Sequence, residues 1–293
     1  YSVAGIYTVT LEVSGPGGTD TVTRRGYITV YEPVEADFTA TPTSGIAPLS
    51  AAFANLSTGD YTTSLWNFGD GMTSTLESPT HTYCVAGVYT VTLEVSGPGG
   101  ADTVSHTDCV TVYQRAQAAF SAMPTEGTAP LTVDFDNLST GDYDTCEWAF
   151  GDGEKSAECA DPSHAYTSSG IYTVTLTVSG LGGSDTVTHS NSVTVYEPVG
   201  ADFVVSPTSG IAPLTVQFTN TSSGDYDESS WEFGDGVTST LDSPAHTYSV
   251  AGIYTVTLEV SGPGGADTVT RRGYITVYQP VEADFTATPT SGI

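Results

Sequence analysis

Positive charge is scarce in this sequence. The 293 residues include 6 Lys and Arg against 34 Asp and Glu, which gives a formal net charge of −28. Nucleic acid and anionic membrane surfaces are therefore disfavoured as partners, because like charges repel and no basic stripe is present to release counterions. Charged residues make up only 14% of the chain. Thr, Ser and Gly fill most polar positions instead, which favours an extracellular, β-rich protein over a cytosolic enzyme.

Long apolar runs and helical periodicity are also missing. No stretch approaches the roughly 18–20 apolar residues that a membrane-spanning helix needs, so we expect no membrane span in this segment. Apolar and polar residues alternate instead, most regularly from Tyr89 to Ser96, and this period of two predicts a half-buried β-strand. The pattern returns at 7–13, 172–178 and 254–260.

The sequence repeats itself at two levels. The phrase Trp-x-Phe-Gly-Asp-Gly occurs at 66–71, 148–153 and 231–236, at spacings of 82 and 83 residues. Residues 1–46 recur as 248–293 with two changes, Thr19 to Ala266 and Glu32 to Gln279. A fixed period of this kind indicates an array of one small module rather than one large domain.

The period predicts three complete modules: module 1 (35–115), module 2 (116–198) and module 3 (199–281). Residues 1–34 are predicted to be the C-terminal part of another module, and 282–293 the start of a further one. Each module is large enough for a modest core of its own. We expect the chain to be a window on a longer polypeptide.

Each module carries an ordered set of motifs. They are Ala-Asp-Phe, Gly-x-Ala-Pro-Leu, Phe-x-Asn-x-Ser, Trp-x-Phe-Gly-Asp-Gly, Pro-x-His-x-Tyr and Gly-x-Tyr-x-Val-x-Leu-x-Val. This order resembles the PKD (polycystic kidney disease) domain over the full length of each module. The resemblance implies tandem immunoglobulin-like antiparallel β-sandwiches. It also implies an extracellular setting, such as a cell-surface protein, an archaeal surface layer or a spacer beside a secreted hydrolase. Module 2 departs from the pattern at Ala119, where the other modules have Asp, and by one inserted residue.

The most regular motif residues are interpreted as structural. Trp66 and Phe68 share one strand face and are expected in the core rather than on a sugar-binding platform. Asp70, between two turn glycines, is expected to bond its own local backbone. His81 is interpreted as a packed or hydrogen-bonded histidine, with metal binding as the weaker alternative. The equivalent residues are Trp148, Phe150, Asp152 and His164 in module 2, and Trp231, Phe233, Asp235 and His246 in module 3.

Two further residue classes leave alternatives open. Asp142, Asp144, Asp225 and Asp227 are calcium candidates, because hard cations prefer oxygen ligands and some relatives of the family bind calcium; solvated surface charge is the favoured alternative. No other cofactor is expected. Asn55, Asn137 and Asn220 each begin an Asn-x-Ser glycosylation sequon. The alternative is that the Asn side chain holds the turn after a strand.

Four cysteines occur, all in modules 1 and 2. Cys146 and Cys159 flank the Gly-Asp-Gly turn and would face each other across a hairpin, and Cys84 and Cys109 share module 1. The favoured interpretation is two disulfides within modules, and the alternative is four buried thiols. The absence of a Cys-x-x-Cys pair gives no indication of zinc.

No nucleophile, positioned histidine and oxyanion donor occur together, so the sequence predicts no enzyme. Short linkers of about five residues, mostly with Pro, predict an extended, semi-rigid string of beads. We expect a structural repeat protein outside a prokaryotic cell, forming rods or fibres with other copies of itself or with cell-surface components. The alternatives are an adhesin that binds polysaccharide or protein, and the spacer region of a secreted hydrolase.

Overall fold

A computed structural model of the chain describes residues 1–286 and 288. Its regular elements are all β-strands, 26 in these residues. No helix long and apolar enough to cross a membrane occurs in the described part. The prediction of an all-β chain built from tandem sandwiches is confirmed.

Module 1 folds into two sheets from eight strands. A three-stranded antiparallel sheet has the order β3-β5-β8, and a five-stranded sheet has the order β4-β10-β9-β6-β7. Strand β4 runs parallel to β10, and the other pairs are antiparallel. The strands are β3 (Phe38–Thr41), β4 (Ser44–Ile46), β5 (Leu49–Asn55), β6 (Thr63–Asn67), β7 (Thr73–Ser74), β8 (Thr80–Tyr83), β9 (Gly87–Gly97) and β10 (Gly100–Tyr113).

The sequence predicts about seven strands per module, and eight form because the first is split between the two sheets. Strand β3 ends at Thr41 and β4 begins at Ser44. Pro42 lies between them and has no N–H to donate to a ladder, so the chain can leave one sheet there and join the other. This split also explains why β4 pairs with β10 in parallel. The sequence predicts antiparallel sheets only, so this parallel pair is not predicted.

Modules 2 and 3 repeat this topology. The sheet orders are β11-β13-β16 with β12-β18-β17-β14-β15, and β19-β21-β24 with β20-β26-β25-β22-β23. The strands of module 2 are β11 (Phe120–Met123), β12 (Glu126–Thr128), β13 (Leu131–Asn137), β14 (Thr145–Ala149), β15 (Lys155–Ser156), β16 (Ser163–Tyr166), β17 (Gly170–Gly180) and β18 (Gly183–Tyr196). Those of module 3 are β19 (Phe203–Ser206), β20 (Ser209–Ile211), β21 (Leu214–Asn220), β22 (Glu228–Glu232), β23 (Thr238–Ser239), β24 (Ala245–Tyr248), β25 (Gly252–Gly262) and β26 (Gly265–Tyr278).

Each module has its own aromatic core between its two sheets. In module 1, Trp66 lies edge-on to Phe38, at 5.2 Å between ring centroids, and also contacts Phe53. The alternating β9 residues Val91, Leu93 and Val95 are fully buried beneath these rings. Burial of such side chains is the main favourable contribution to folding, at about 1.5–3 kcal/mol each.

The two terminal segments differ from the modules. Residues 1–34 contain only β1 (Gly5–Gly15) and β2 (Gly18–Val30), which form a two-stranded antiparallel sheet that we call the N-terminal hairpin. The predicted start of a further module, 282–293, lies mostly outside the described residues, and 282–286 form no regular strand.

Candidate functional site

The Trp-x-Phe motif lies in the core of every module. Trp66 is completely buried, and its indole Nε1 donates to the carbonyl of Leu76 at 2.9 Å. Phe68 is 2% exposed. These rings offer no platform for a sugar, and they occupy the core as expected. The same indole bond is made by Trp148 to Glu158 and by Trp231 to Leu241.

An Asp–His pair closes the turn that follows this strand. His81 Nε2 lies 2.7 Å from Asp70 Oδ2, while Asp70 Oδ1 accepts the backbone N–H of Met72 at 3.0 Å. The imidazole stacks on Phe68, with ring centroids 4.1 Å apart and planes 2° from parallel. Because an ionised carboxylate only accepts hydrogen bonds, Nε2 carries the proton of this bond. The equivalent pairs, His164–Asp152 and His246–Asp235, have the same 2.7 Å distance.

The environment of the pair affects two pKa values. Burial by itself raises the pKa of Asp70, but the hydrogen bonds to His81 and to the Met72 amide outweigh it, so the pKa is lowered. Burial raises the pKa of Tyr83, and the nearby charge of Asp70 adds to this effect. The pair is structural, because its Nε2 and both of its carboxylate oxygens are bonded within the module.

The amide nitrogens of the three sequons are turned towards the protein. Asn55 Oδ1 accepts the N–H of Ser57 at 3.0 Å, which holds the turn after β5. Its Nδ2 is buried and has no hydrogen-bond partner in the described part of the chain. Asn137 Nδ2 donates to the carbonyl of Cys159, and Asn220 Nδ2 to Asp242 Oδ1 at 2.7 Å. Glycosylation at these residues stays a prediction, and it would require these nitrogens to turn outwards.

One of the two expected disulfides is present. Cys146 and Cys159 are disulfide-bonded, whereas Cys84 and Cys109 are free thiols, so the prediction that they pair is wrong. Cys84 is exposed in the loop between β8 and β9. Cys109 instead packs against the core beside the irregularity in the β9–β10 register, and burial raises the pKa of its thiol. One thiol therefore faces solvent and the other faces the core.

The calcium candidates are not brought together as a metal site. Asp142 and Asp225 each use one carboxylate oxygen to accept a backbone N–H. Asp144 and Asp227 lie two residues further on, where their own backbone N–H groups join the sheet. Among the described residues, no group of three or more His, Cys, Asp or Glu is placed to hold a metal. Calcium binding at these four residues stays a prediction.

The backbone groups that Asp142 and Asp225 bind belong to the linkers between modules, which are residues 31–35, 113–117 and 196–200. Gln114, the first residue after β10, donates its N–H to Asp142 Oδ2 at 2.6 Å, and its carbonyl accepts the N–H of Asp142 at 3.0 Å. Gln117 and Thr140 exchange both backbone bonds at 2.9 Å. Ala118 N–H is bound by Asp185 Oδ2 at 2.8 Å. Each linker is thus bound along its length by the module that follows it.

We call the parts of a module that bind the preceding linker its linker-binding loops. They are 56–62 and 97–102 in module 1, 138–144 and 180–185 in module 2, and 221–227 and 262–267 in module 3. The first carboxylate is Asp60, Asp142 or Asp225, and the second is Asp102, Asp185 or Asp267. The backbone amides of Ala36 and Thr103 lower the pKa of Asp102, and those of Ala201 and Thr268 lower the pKa of Asp267.

Two glycines per module allow this close approach. Gly141 has φ +96°, and a Cβ placed on it would lie 2.2 Å from the carbonyl oxygen of Arg115. A Cβ on Gly182 would lie 2.1 Å from the carbonyl oxygen of Gln114. No side chain fits at either position, so the close contact with the linker requires glycine at both. The equivalents are Gly59 and Gly99, and Gly224 and Gly264.

A single peptide group is bonded on both sides where two modules meet. The carbonyl of Tyr113 accepts the N–H of Ala47 in module 1 at 2.9 Å, and the next N–H, that of Gln114, is bound by Asp142 in module 2. The carbonyl of Tyr113 and the N–H of Gln114 belong to the same planar peptide group, which we call the joint peptide. The next joint peptide, Tyr196–Glu197, is bound by Ala129 at 2.9 Å and by Asp225 at 2.7 Å.

Each joint peptide lies inside one compact unit of the structure. Residues 1–119 group with 138–146 and 177–186, so the first joint peptide and the loops that bind it are in one unit. The second joint peptide lies in the other unit. Ile46 also reaches the β17–β18 turn, where a Cβ on Gly183 would be 3.1 Å from its Cδ1.

Sequence reasoning missed these loops. From the sequence, Asp142 and Asp225 are interpreted as surface charge or calcium ligands, and nothing local indicates their partners, which lie 28 residues away in the preceding linker. One signal could have found them. Gly-Asp-Tyr occurs at the same place in all three modules (59–61, 141–143 and 224–226), whereas Asp144 and Asp227 have no counterpart in module 1.

The family model of the PKD domain matches residues 32–112, 115–195 and 199–277, which is more than half of the chain. The chain belongs to the PKD domain family. Each match begins within a linker, at residues 32, 115 and 199, so the later part of each linker is included in the PKD domain that binds it.

Among curated proteins, the chain is 49% identical over 57 residues to Collagenase ColA of Bacillus cereus. The alignment covers 20% of this chain and 6% of that protein, so the chain spans only a small part of the relative's length.

Among solved structures, a fragment from the I-band of titin is similar at a TM-score of 0.59 and 15% identity, covering 85% of this chain and 99% of the fragment. A three-immunoglobulin structure of titin domains with E-to-A mutations gives a TM-score of 0.58, also at 15% identity. At this identity the likeness shows the immunoglobulin-like fold of the PKD domains alone.

Proposed function

We propose that this PKD array is a non-catalytic structural region that acts outside the cell as a rod- or fibre-forming part of a longer cell-surface or filament polypeptide. The observation that carries the proposal is the joint peptide, bonded to the module before it and to the module after it.

The physical reason is the loss of rotational freedom at the joint. A linker becomes flexible when its φ and ψ angles are free and its backbone is solvated. Here the first linker residue after β10 is already bound to the next module, and the peptide group that carries the joint is planar. A chain of such joints transmits force and direction between modules, which suits a stalk or fibre rather than a hinge.

An extracellular, prokaryotic location is supported by two observations. The Cys146–Cys159 disulfide is of the kind that persists in oxidising compartments. One curated relative is a bacterial collagenase. We propose other copies of the same protein, or other cell-surface components, as its partners.

The similarity to Collagenase ColA supports a second candidate function, a spacer beside the catalytic domain of a secreted hydrolase. The same joints would then hold a catalytic domain at a fixed distance from another domain.

Electron microscopy and mass spectrometry of the native polypeptide separate these functions. We expect ordered filaments or surface stalks whose subunits contain PKD repeats and no catalytic domain. A soluble secreted protein with a hydrolase domain on the same polypeptide would support the spacer function instead. Monomers that are retained on glycan arrays would support adhesion, and either result would contradict the fibre proposal.

A further inference from the structure

Modules 1 and 3 each have an open groove at the start of the strand that carries the buried Trp, and we call these the strand-start grooves. Their volumes are about 540 Å³ and about 430 Å³, a size that suits a small-molecule ligand. Ser64 and Thr75 line the groove of module 1. Their equivalents Ser229 and Thr240 line that of module 3, so the two grooves lie at the same place in the fold.

The side chains that line these grooves all carry a hydroxyl or a carboxylate. In module 1 the other lining residues are Tyr61, Thr62, Thr63 and Glu77. In module 3 they are Asp227, Glu228, Ser230, Glu259 and Ser261. Hydroxyls donate and accept hydrogen bonds, whereas ionised carboxylates only accept them. A complementary ligand therefore carries several hydroxyl groups and at least one further donor.

The carboxylate in the groove of module 1 is available to a ligand. In module 3 the carboxylate at this position, Asp242, is occupied: it accepts from Asn220 Nδ2 at 2.7 Å and lies 3.4 Å from the Ser229 hydroxyl. Module 1 has Glu77 there instead. Since Asn55 Nδ2 has no hydrogen-bond partner in the part of the chain that the structure describes, Glu77 does not bind it. Glu77 is exposed and lines the groove.

Charge favours a cationic ligand. The charged side chains in the two grooves are all acidic, and the whole chain has a formal net charge of −28. Such a field concentrates cations, and a protonated amine forms charge-assisted hydrogen bonds with a carboxylate. A sugar with a free amino group combines this positive charge with the hydroxyl groups that the rest of the lining can bind.

Module 2 lacks this chemistry at the same place. The serine and the carboxylate of the groove in module 1 are replaced by Cys146 and Cys159, and the threonine by Ala157. The two cysteines are disulfide-bonded, so a covalent bridge joins the two sides where module 1 has polar side chains. Module 2 is therefore an internal control for binding in the other two modules.

We propose that the strand-start grooves of modules 1 and 3 bind amino sugars that carry a free amine. In module 1, Glu77 binds the ammonium group, and the exposed Thr62 and Thr75 contact the hydroxyl groups of the sugar. This inference goes beyond the proposed function, because it concerns a groove within single modules and not the joint peptides. A filament with sugar in these grooves remains a filament.

The test titrates the full chain with a short oligomer of glucosamine and follows the NMR signals of the backbone amides. We expect concentration-dependent shifts at 61–64 and 75–77 in module 1 and at 227–230 in module 3, and none at 143–146 in module 2. The fully N-acetylated oligomer should bind at least about 10-fold more weakly, because it has no ammonium group to form a charge-assisted hydrogen bond.

Matched substitutions separate the groove from the overall charge. Glu77→Gln should weaken binding to module 1 by about 10-fold and leave module 3 unchanged. Glu154→Gln removes the same charge from module 2 and should change neither. Ser64→Cys with Glu77→Cys recreates the bridge of module 2 and should abolish the shifts in module 1, while the signals of β9 stay as in the unchanged chain. The proposal is overturned if no groove signal shifts, if 143–146 shift as much as 61–64, or if Glu77→Gln binds the oligomer like Glu154→Gln.

Discussion

Asp70 joins two segments of module 1 through two different oxygens. One accepts the Met72 amide within the turn, and the other accepts His81 from β8. We expect Asp70→Ala to destabilise module 1 by about 1.5–3 kcal/mol, the usual contribution of hydrogen bonds to a charged group. Hydrogen exchange of β6 and β8 measures this effect, with the unchanged pair in module 3 as an internal control. Glu94→Ala, an exposed carboxylate on β9, should change the same exchange rates little.

The same residue gives a direction for acid sensitivity. The folded-state pKa of Asp70 is lowered, so its stabilising contribution is present above the unfolded pKa, about 3.9, and is lost as the pH falls through the folded value. We therefore expect the unfolding free energy of module 1 to fall below about pH 4, and to fall less steeply in Asp70→Ala. Denaturant titrations between neutral pH and pH 2 measure this difference. Equal slopes for the two proteins would contradict the assignment.

At the scale of strands, one position in each module bridges the same two segments with different chemistry. Module 2 has the Cys146–Cys159 disulfide there. Module 3 has Ser229 and Asp242, which meet at 3.4 Å and share Asn220. Module 1 has Ser64 there, and its hydroxyl donates to the carbonyl of Leu76 at 3.4 Å.

This comparison predicts the effect of removing the disulfide. Cys146→Ser with Cys159→Ser should cost module 2 about 3 kcal/mol, the expected value for a loop of roughly 15 residues. Cys146→Ser with Cys159→Asp should recover about 0.5–1.5 kcal/mol of that, because it recreates the polar bridge of module 3. Hydrogen exchange of β14 and β16 is the measurement. Unchanged protection without the disulfide would show that the bridge contributes nothing.

Elements with local signals could be predicted from the sequence. The alternation of Tyr89 to Ser96 predicts a strand, and β9 spans Gly87–Gly97. The burial of Trp66 and Phe68 follows from the same period of two. In contrast, the splitting of the first strand and the parallel pair depend on which sheet the chain joins after Pro42. No local pattern specifies that choice.

The candidate site was harder to predict for a similar reason. The cysteines illustrate it: Cys146 and Cys159 lie close in sequence around one turn, whereas the positions of Cys84 and Cys109 depend on how β8 packs against the β9–β10 hairpin. The partner of Asp142 lies in another segment of the chain and is a backbone group, which every residue type except proline carries. The residue types of the linker therefore do not reveal that its backbone is bound. The only sequence signal is the Gly-Asp-Tyr that recurs in each module.

For the whole molecule, the proposed rod or fibre requires that the joint peptides hold neighbouring PKD domains in one arrangement. Gly141 and Gly153 provide a matched pair of substitutions. Both have positive φ, +96° and +102°, but only a Cβ on Gly141 would collide with the linker, and a Cβ on Gly153 would meet nothing within 4 Å. Alanine at either position introduces similar backbone strain, so the difference between the two variants isolates the effect on the linker.

The most direct test is an electron spin resonance distance measurement across the first joint. Spin labels at Thr90→Cys and Thr173→Cys, in a background without the thiols of Cys84 and Cys109, report on modules 1 and 2. We predict one narrow distance distribution for the otherwise unchanged chain and for Gly153→Ala, and a broad one for Gly141→Ala. A broad distribution in the unchanged chain, or a Gly141→Ala distribution as narrow as that of Gly153→Ala, would show that the joint peptides do not fix neighbouring PKD domains.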